Sequence, residues 1–204
     1  MELNNWIAAS TGIVLLAAAI FAWKSYRQAS KQATWEATNE IYKEWWGKKL
    51  RELRHYFYEV FLPKYKSELK GKLSGKGMKE IGELHPDIRK LCYFFDRVGW
   101  LGAANLIDVG YVMGPMQHSV RRLWLIMEKN ITREREFSTT KLLDSVYLSG
   151  FEWLFKRSEK KPQAKLIRSK FNNPRLLSRA QYKKMQNEID EDEKGFHKDY
   201  LGDN

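Results

Sequence analysis

The chain has 204 residues, with 36 Lys plus Arg, 25 Asp plus Glu and a formal net charge of +11. Its residues are 43% hydrophobic and 14% aromatic, which excludes a wholly disordered chain, because such chains are poor in both classes. The single cysteine, Cys92, excludes an intramolecular disulfide and a cysteine-rich zinc site. We therefore expect one domain of modest size that is held together by packing, with additional segments at its two ends.

An uncharged apolar segment opens the chain. No Asp, Glu, Lys or Arg occurs from Leu3 to Trp23, and roughly 20 residues at about 1.5 Å each match a hydrocarbon core of about 30 Å. Trp6 and Trp23 stand near the two ends, where indole rings prefer the headgroup level. The pattern predicts a single transmembrane helix, with residues 1–33 as anchor and juxtamembrane flank.

The charges around this segment indicate its orientation. Glu2 precedes it, whereas Lys24, Arg27 and Lys31 follow it, the reverse of a cleaved secretory signal. The positive-inside rule then predicts a single-pass protein of the inner (cytoplasmic) membrane, with the N-terminus outside and the C-terminal domain in the cytoplasm. The alternative, a helix buried in a protein core, would need neighbours around its whole circumference. The predicted membrane-anchor residues are Trp6, Trp23, Lys24 and Arg27.

Residues 34–158 are predicted to form a helical cytoplasmic domain. Apolar residues recur at spacings of three and four from Ile41 to Phe61, which indicates an amphipathic helix. Pro63 ends the strong pattern, with a further turn or two over Lys64 to Lys70 left open, and the glycine-rich segment 71–77 predicts a surface turn.

Three further helices are predicted after this turn. The second begins at His85-Pro86-Asp87 and ends near Gly99 and Gly102. A short piece from Asn105 to Met113 is followed by a break at Gly114-Pro115 and then by a third helix, while a fourth amphipathic segment is interrupted by Gly150.

No segment alternates with a period of two, so the predicted fold class is all-α: one N-terminal transmembrane helix, a bundle of four or five helices, and a basic, partly ordered tail over residues 159–204. The stretch from Val98 to Met116 carries only Asp108 as a charge and is a candidate second span. An Asp in the middle of a span costs about 2.5–3.5 kcal/mol, so we favour a helix–turn–helix inside the core.

Four short motifs resemble a family of bacterial membrane-anchored proteins known only as a domain of unknown function. The matching pieces are residues 50–58, Phe94 to Gly99 with the break from Gly110 to Met116, Leu123-Trp124, and residues 151–154. The resemblance covers residues 35–158 together with the N-terminal span. It implies an anchored helical domain and supplies no activity.

Signals for catalysis or for a cofactor are absent from the sequence. It contains no phosphate-binding glycine loop, nucleophile elbow or paired metal-binding histidines, so we expect no cofactor and favour a non-enzymatic role. His118 precedes Arg121 and Arg122 on what we interpret as a solvated basic face. Asp96 with Arg97 is expected to be structural, and Cys92 is expected to be an inert packing group.

A basic strip follows the predicted domain. Residues 138–187 carry twelve basic and three acidic side chains, and residues 188–204 carry two and seven. The strip could lie on anionic lipid, hold a protein partner, or bind nucleic acid with Phe171 and Tyr182 for stacking. Its candidate binding residues are Lys156, Arg157, Lys160, Lys161, Lys165, Arg168, Lys170, Arg175, Arg179, Lys183 and Lys184.

These observations predict a membrane-anchored interaction or scaffold protein. Its expected partners are the lipid bilayer and either another protein or a second copy of the chain. A membrane-tethered nucleic-acid binder that uses residues 156–184 is the alternative, and an enzyme is the third hypothesis. The acidic segment Glu188 to Glu193 is expected to dock on the basic strip or on a basic partner.

Overall fold

A computed structural model describes residues 2–69, 73, 76–137, 146–160 and 179–201. Within these ranges the chain forms seven helices and no strand, which confirms the all-α prediction. We number the helices α1 to α7 in chain order.

Helix α1 runs without a break over Glu2–Trp46, 45 residues. It joins two segments that the sequence pattern predicts as separate helices, the apolar N-terminal run and the start of the amphipathic pattern at Ile41. Gly47 ends it in an extended conformation, with φ −64° and ψ 155°. The prediction of one helix from Ile41 to Phe61 is therefore wrong, because a new helix begins after Gly47.

Helix α2 is a composite that continues past Pro63. It comprises an α-helical part Lys48–His55, a π-helical turn Tyr56–Phe61, a short α-helical part Leu62–Lys64 and a second π-helical turn Tyr65–Leu69. Proline has no N–H group, and its ring clashes with the carbonyl of the residue four positions earlier. The wider π-helical register lies on both sides of Pro63, so the helix changes register there and does not end.

Helices α3, α4 and α5 span Met78–Leu84, Pro86–Ala103 and Val109–Phe137. Pro86 begins α4 as predicted. The predicted break at Gly114-Pro115 is wrong, because α5 passes through it as one helix of 29 residues. Its side chains at Val112, Met113 and Met116 are buried, so packing on both sides of the proline outweighs the hydrogen bond that the proline removes.

Helix α6 spans Ser149–Lys160, and α7 consists of Arg179–Phe196 followed by a π-helical turn, His197–Leu201. The core lies between α4, α5 and α6, with the second half of α1 and the buried side of α2 packed on it. Its largest fully buried side chains are Trp45, Phe57, Phe61, Phe95 and Phe151.

The second half of α1 is fastened to this core by a buried hydroxyl. Thr38 is fully buried; its Oγ1 accepts a hydrogen bond of 2.8 Å from the backbone N–H of Asp108 and donates one of 2.6 Å to the carbonyl of Thr34. Trp35 and Tyr42 of α1 both contact the ring of Tyr111, with ring centroids 5.3 and 5.2 Å apart. The helix is therefore held along its last three turns.

The first half of α1 leaves the core. Every side chain that the structure describes from position 14 to position 33 is exposed. No helix in the described part of the chain is both long and apolar enough to cross a membrane, so the predicted transmembrane span is unsupported. The side chains of residues 2–11 and of Ile13, which include Trp6 and much of the predicted span, lie outside the described set.

Candidate functional site: a cationic cleft under the C-terminal helix

Two helices of the core build one wall of a cleft that α7 covers. Tyr58 lies in the first π-helical turn of α2, and its hydroxyl is 2.9 Å from the Oγ of Ser119 in α5. One residue away on α5, the ring of His118 stacks on that of Tyr58, with centroids 6.3 Å apart and an interplanar angle of 14°. Arg122 follows one turn later and lies over the same tyrosine ring. The described residues that line the cleft are His118, Arg121, Arg122, Leu125, Phe196 and His197.

The carboxylate of Asp192 in α7 meets this cationic wall. Its Oδ2 lies 2.8 Å from an Nη of Arg122 and 3.4 Å from Nε2 of His118. The Arg122 side chain is 17% exposed, whereas that of Asp192 is 55% exposed. The ion pair therefore joins a largely buried cation to a carboxylate that stays in contact with water.

Aromatic contacts complete the docking of α7. Phe196 is buried beneath the guanidinium of Arg122, which lies 4.8 Å from its ring centroid. Tyr200 stacks on Phe196 at 4.7 Å, and Lys66 at the end of α2 pairs with Asp199 at 3.0 Å. Positions 192, 196, 199 and 200 share one face of a helix, so a single face of α7 makes all these contacts.

The docking energy is modest. Burial of one Phe side chain contributes about 1.5–3 kcal/mol, and an exposed or half-exposed ion pair contributes about 0–1 kcal/mol. The described side chains of α7 before Asp192 are exposed, at positions 184, 187, 188, 190 and 191. The contacts described above come from positions 192 to 200.

The cleft keeps His118 uncharged at neutral pH. Burial, together with the positive charges of Arg122 and Arg121, lowers the pKa of His118 to about 4, and Asp192 opposes this only in part. A group with so low a pKa is a weak proton acceptor at pH 7. Burial also raises the pKa of Tyr58 above its usual range. The chemistry that this arrangement offers is recognition of a negative charge beside an aromatic surface.

Asp96, Arg97 and Cys92, which the sequence analysis also considered, make contacts within or between the helices of the domain. Asp96 accepts a hydrogen bond of 3.1 Å from the N–H of Phe151 at the start of α6, and burial raises its pKa. Arg97 pairs with Glu44 of α1 and lies over the ring of Phe94. Cys92 is fully buried, and burial raises the pKa of its thiol far above the usual range, as expected of an inert packing group.

The predicted basic strip is only partly described. Lys156 pairs with Glu152, and Lys184 lies 3.8 Å from Glu188, so both are partly neutralised within their own helices, whereas Arg157 is exposed. For Lys160, Arg179 and Lys183 only the helical backbone is described. Lys161, Lys165, Arg168, Lys170 and Arg175 lie outside the described residues. Recognition of lipid, protein or nucleic acid by this strip stays a prediction.

The predicted anchor residues that are described lie on the projecting half of α1. Trp23 is 61% exposed, and the guanidinium of Arg27 lies 5.4 Å from its ring centroid. Lys24 is exposed beside them.

The acidic tail was expected to meet the basic strip or a basic partner. Glu188 lies 3.8 Å from Lys184 of the strip, and Asp192 meets Arg122 of the helical domain. Sequence reasoning missed Tyr58, Lys66 and Phe196 as parts of one site. The available signal was in the C-terminal part of α7, where Phe196 and Tyr200 share a face with Asp192 and are the only large apolar residues from Asp190 to Tyr200. Their partners on α2 and α5 are distant in sequence, and no comparable sequence pattern distinguishes them.

Comparison of the chain with protein-family models, with curated proteins and with solved structures found no match. The resemblance to bacterial membrane-anchored domain proteins therefore stays a prediction. Most of the apolar residues that carry it, such as Leu53, Phe57, Phe95, Trp124 and Phe151, are buried in the core.

Proposed function

We propose that this chain is a membrane-anchored interaction protein, in which the first half of α1 is the anchor and the helical domain is presented to partners. The observation that carries the proposal is the exposed apolar surface of α1. Val14, Leu15, Leu16, Ile20 and Phe21 are between 56% and 70% exposed, and the core covers none of them.

The distribution of these side chains around the helix favours lipid over a protein groove. Consecutive residues of an α-helix are about 100° apart, so positions 14, 15 and 16 point in three directions and positions 20 and 21 both lie in the wide arc between positions 16 and 14. A groove-binding helix needs one apolar stripe, whereas a helix that is apolar all round suits a surrounding apolar medium. The sequence before Val14 carries no charged residue from Leu3 onward.

Residues 24–33, which we call the stalk, separate the apolar surface from the core. All ten are exposed and helical, and they include Lys24, Arg27 and Lys31. At about 1.5 Å per residue the stalk is about 15 Å long. It would hold the domain clear of the headgroups, and its basic residues favour an anionic leaflet, where each is worth about 1 kcal/mol.

Membrane flotation of two matched variants tests the anchor. Leu16→Asp with Ile20→Asp places two carboxylates in the apolar surface, at about 2.5–3.5 kcal/mol each for an inserted helix. Ser25→Asp with Gln28→Asp makes the same charge change in the stalk. We expect the wild-type chain and the stalk variant to float with membranes in a density gradient after an alkaline wash, and the anchor variant to remain at the bottom. Flotation of the anchor variant, or loss of the wild-type chain from membranes, would overturn the proposal.

Orientation is tested with single introduced cysteines. Cys92 is fully buried, so an impermeant maleimide reacts little with the wild-type chain. We expect Asn5→Cys to be labelled in intact cells and Ser25→Cys to be labelled only after lysis. The reverse pattern would contradict the proposed orientation while leaving the anchor itself intact.

A further inference from the structure

The docked end of α7 accepts hydrogen bonds from only part of the Arg122 guanidinium in the cleft. Asp192 binds one Nη of Arg122, while the Nε of Arg122 is buried and has no hydrogen-bond partner among the described residues. A guanidinium presents two parallel N–H groups that match the two oxygens of a carboxylate. A buried N–H without an acceptor is costly, so the cleft favours a ligand that engages more of this fork than Asp192 does.

The attachment of α7 is also easy to release. It depends on Phe196, on the half-exposed Asp192, and on the ion pair of Lys66 with Asp199, in which both side chains are about half exposed. The side chains described at positions 184, 187, 188, 190 and 191 are exposed. A competitor therefore has to replace these contacts, in which both ion pairs have a half-exposed carboxylate.

We propose that the cleft formed by Tyr58, His118 and Arg122 is a recognition site for an acidic amphipathic helix of a protein partner, and that α7 occupies it in cis as a displaceable latch. The face of α7 defines the partner's chemistry: a carboxylate, an aromatic residue four positions later, and a second carboxylate with an aromatic neighbour after one further turn. A helix bound through such an i, i+4, i+7 face is a common mode of peptide recognition.

Charge complementarity supports a protein helix as the occupant. Lys66 and Arg122, from different helices, each meet a carboxylate of the same helix, and Phe196 is buried beneath Arg122. A buried aromatic anchor bordered by charge pairs is typical of the small set of residues that dominate a protein interface.

Binding of a peptide in trans tests this proposal. The probe is a fluorescent synthetic peptide with the sequence of residues 183–201, added to the full-length protein in mild detergent, with anisotropy as the measurement. In the latch-open protein, Asp192→Asn with Phe196→Ala removes the cis contacts of these two residues with Arg122 and leaves the α2 and α5 side of the cleft in place. We expect this variant to bind the peptide at least tenfold more tightly than the wild-type protein, whose own α7 competes.

A matched pair of substitutions in α5 locates the binding site. Arg122→Gln in the latch-open protein is expected to weaken binding at least tenfold, whereas Lys129→Gln, which removes the same charge two turns away at an exposed position, is expected to leave it unchanged. Because Arg122→Gln can disturb folding, the same contacts are also removed from the probe. A peptide with Asp192→Asn and Phe196→Ala should bind the latch-open protein at least tenfold more weakly.

The proposal is overturned if the latch-open protein binds no more tightly than the wild type, or if neither the altered peptide nor Arg122→Gln weakens binding. It deepens the proposed interaction role by naming a partner class. The peptide assay does not require the anchor, so its failure and a failure of membrane flotation are separate results.

Discussion

Gly99 of α4 and Gly150 of α6 lie in direct backbone contact. A methyl group on Gly99 would fall 1.8 Å from the carbonyl oxygen of Gly150, and one on Gly150 would fall 2.2 Å from the carbonyl oxygen of Asp96. Backbone atoms cannot move aside as a side chain can. The two helices can therefore cross at this distance only with glycine at both positions.

Gly150→Ala is expected to destabilise the fold by about 1–3 kcal/mol or more, because the added methyl group forces α4 and α6 apart. The measurement is a urea titration of the full chain, followed by tryptophan fluorescence. Gly195→Ala in α7 is the control, since no atom outside its own stretch of helix lies within 4 Å of its added methyl group. There we expect no loss, and a gain of up to about 1 kcal/mol from helix propensity. Equal stability of the two variants would contradict the close crossing.

Asp96 caps α6 from a neighbouring helix. Its Oδ1 accepts a hydrogen bond from the N–H of Phe151, and Asp96→Ala removes this acceptor from the helix start. We expect a loss of about 0.5–2 kcal/mol in the free energy of unfolding. Asp96→Asn keeps an acceptor at the same place and should retain most of the stability. If Asn and Ala had the same effect, the capping role would be wrong.

The Thr38 hydroxyl is expected to hold α1 on the core. Thr38→Val preserves the shape of the side chain but leaves the N–H of Asp108 without its acceptor, at a cost of about 1–3 kcal/mol. Thr38→Ser retains the hydroxyl and should recover this hydrogen bond. Hydrogen exchange at the amide of Asp108 reports the contact directly. Unchanged protection in the Val variant would show that the hydroxyl is not the acceptor in solution.

The low pKa of His118 predicts a dependence of stability on pH. The unfolded chain protonates this group near pH 6.5, whereas the folded chain does so only near pH 4. Between these values the unfolded state binds more protons, so the contribution of His118 is complete above about pH 6.5 and is lost as the pH falls toward 4.

His118→Gln should remove this part of the pH dependence. Urea titrations of the wild type and the variant at pH 7, 5.5 and 4.5 provide the comparison. The wild type is expected to lose more stability than the variant over this range, because burial and the positive charges of Arg122 and Arg121 disfavour the charged imidazole. Parallel pH profiles would contradict the burial of His118 beside these arginines.

Local sequence patterns predicted the features that depend on neighbouring residues. The helical class, the start of α4 at Pro86, and the inert surroundings of Cys92 follow from periodicity and residue type, and the structure confirms them. The predicted break at Gly114-Pro115 was wrong, because α5 passes through Pro115. The continuation past Pro63, which the sequence left open, is observed, since α2 reaches Leu69.

Contacts between residues distant in sequence could not be predicted in the same way. Asp192 and Arg122 are 70 positions apart, and Gly99 and Gly150 are 51 positions apart. Each pair is created by the way the helices assemble. Arg122 appeared in the sequence as part of a solvated basic face, and only the approach of α7 makes it the centre of a cleft.

The unbroken course of α1 fixes the direction in which the domain faces. Because the helix is continuous from the apolar surface through the stalk to Thr38, one residue deleted from the stalk rotates the domain by about 100° and shortens the stalk by about 1.5 Å. Seven inserted residues lengthen it by about 10 Å and restore the original heading to within about 20°. The number of residues in the stalk therefore determines how the domain is rotated about the axis of α1. This rotation determines the side on which the cleft under α7 meets a neighbouring molecule.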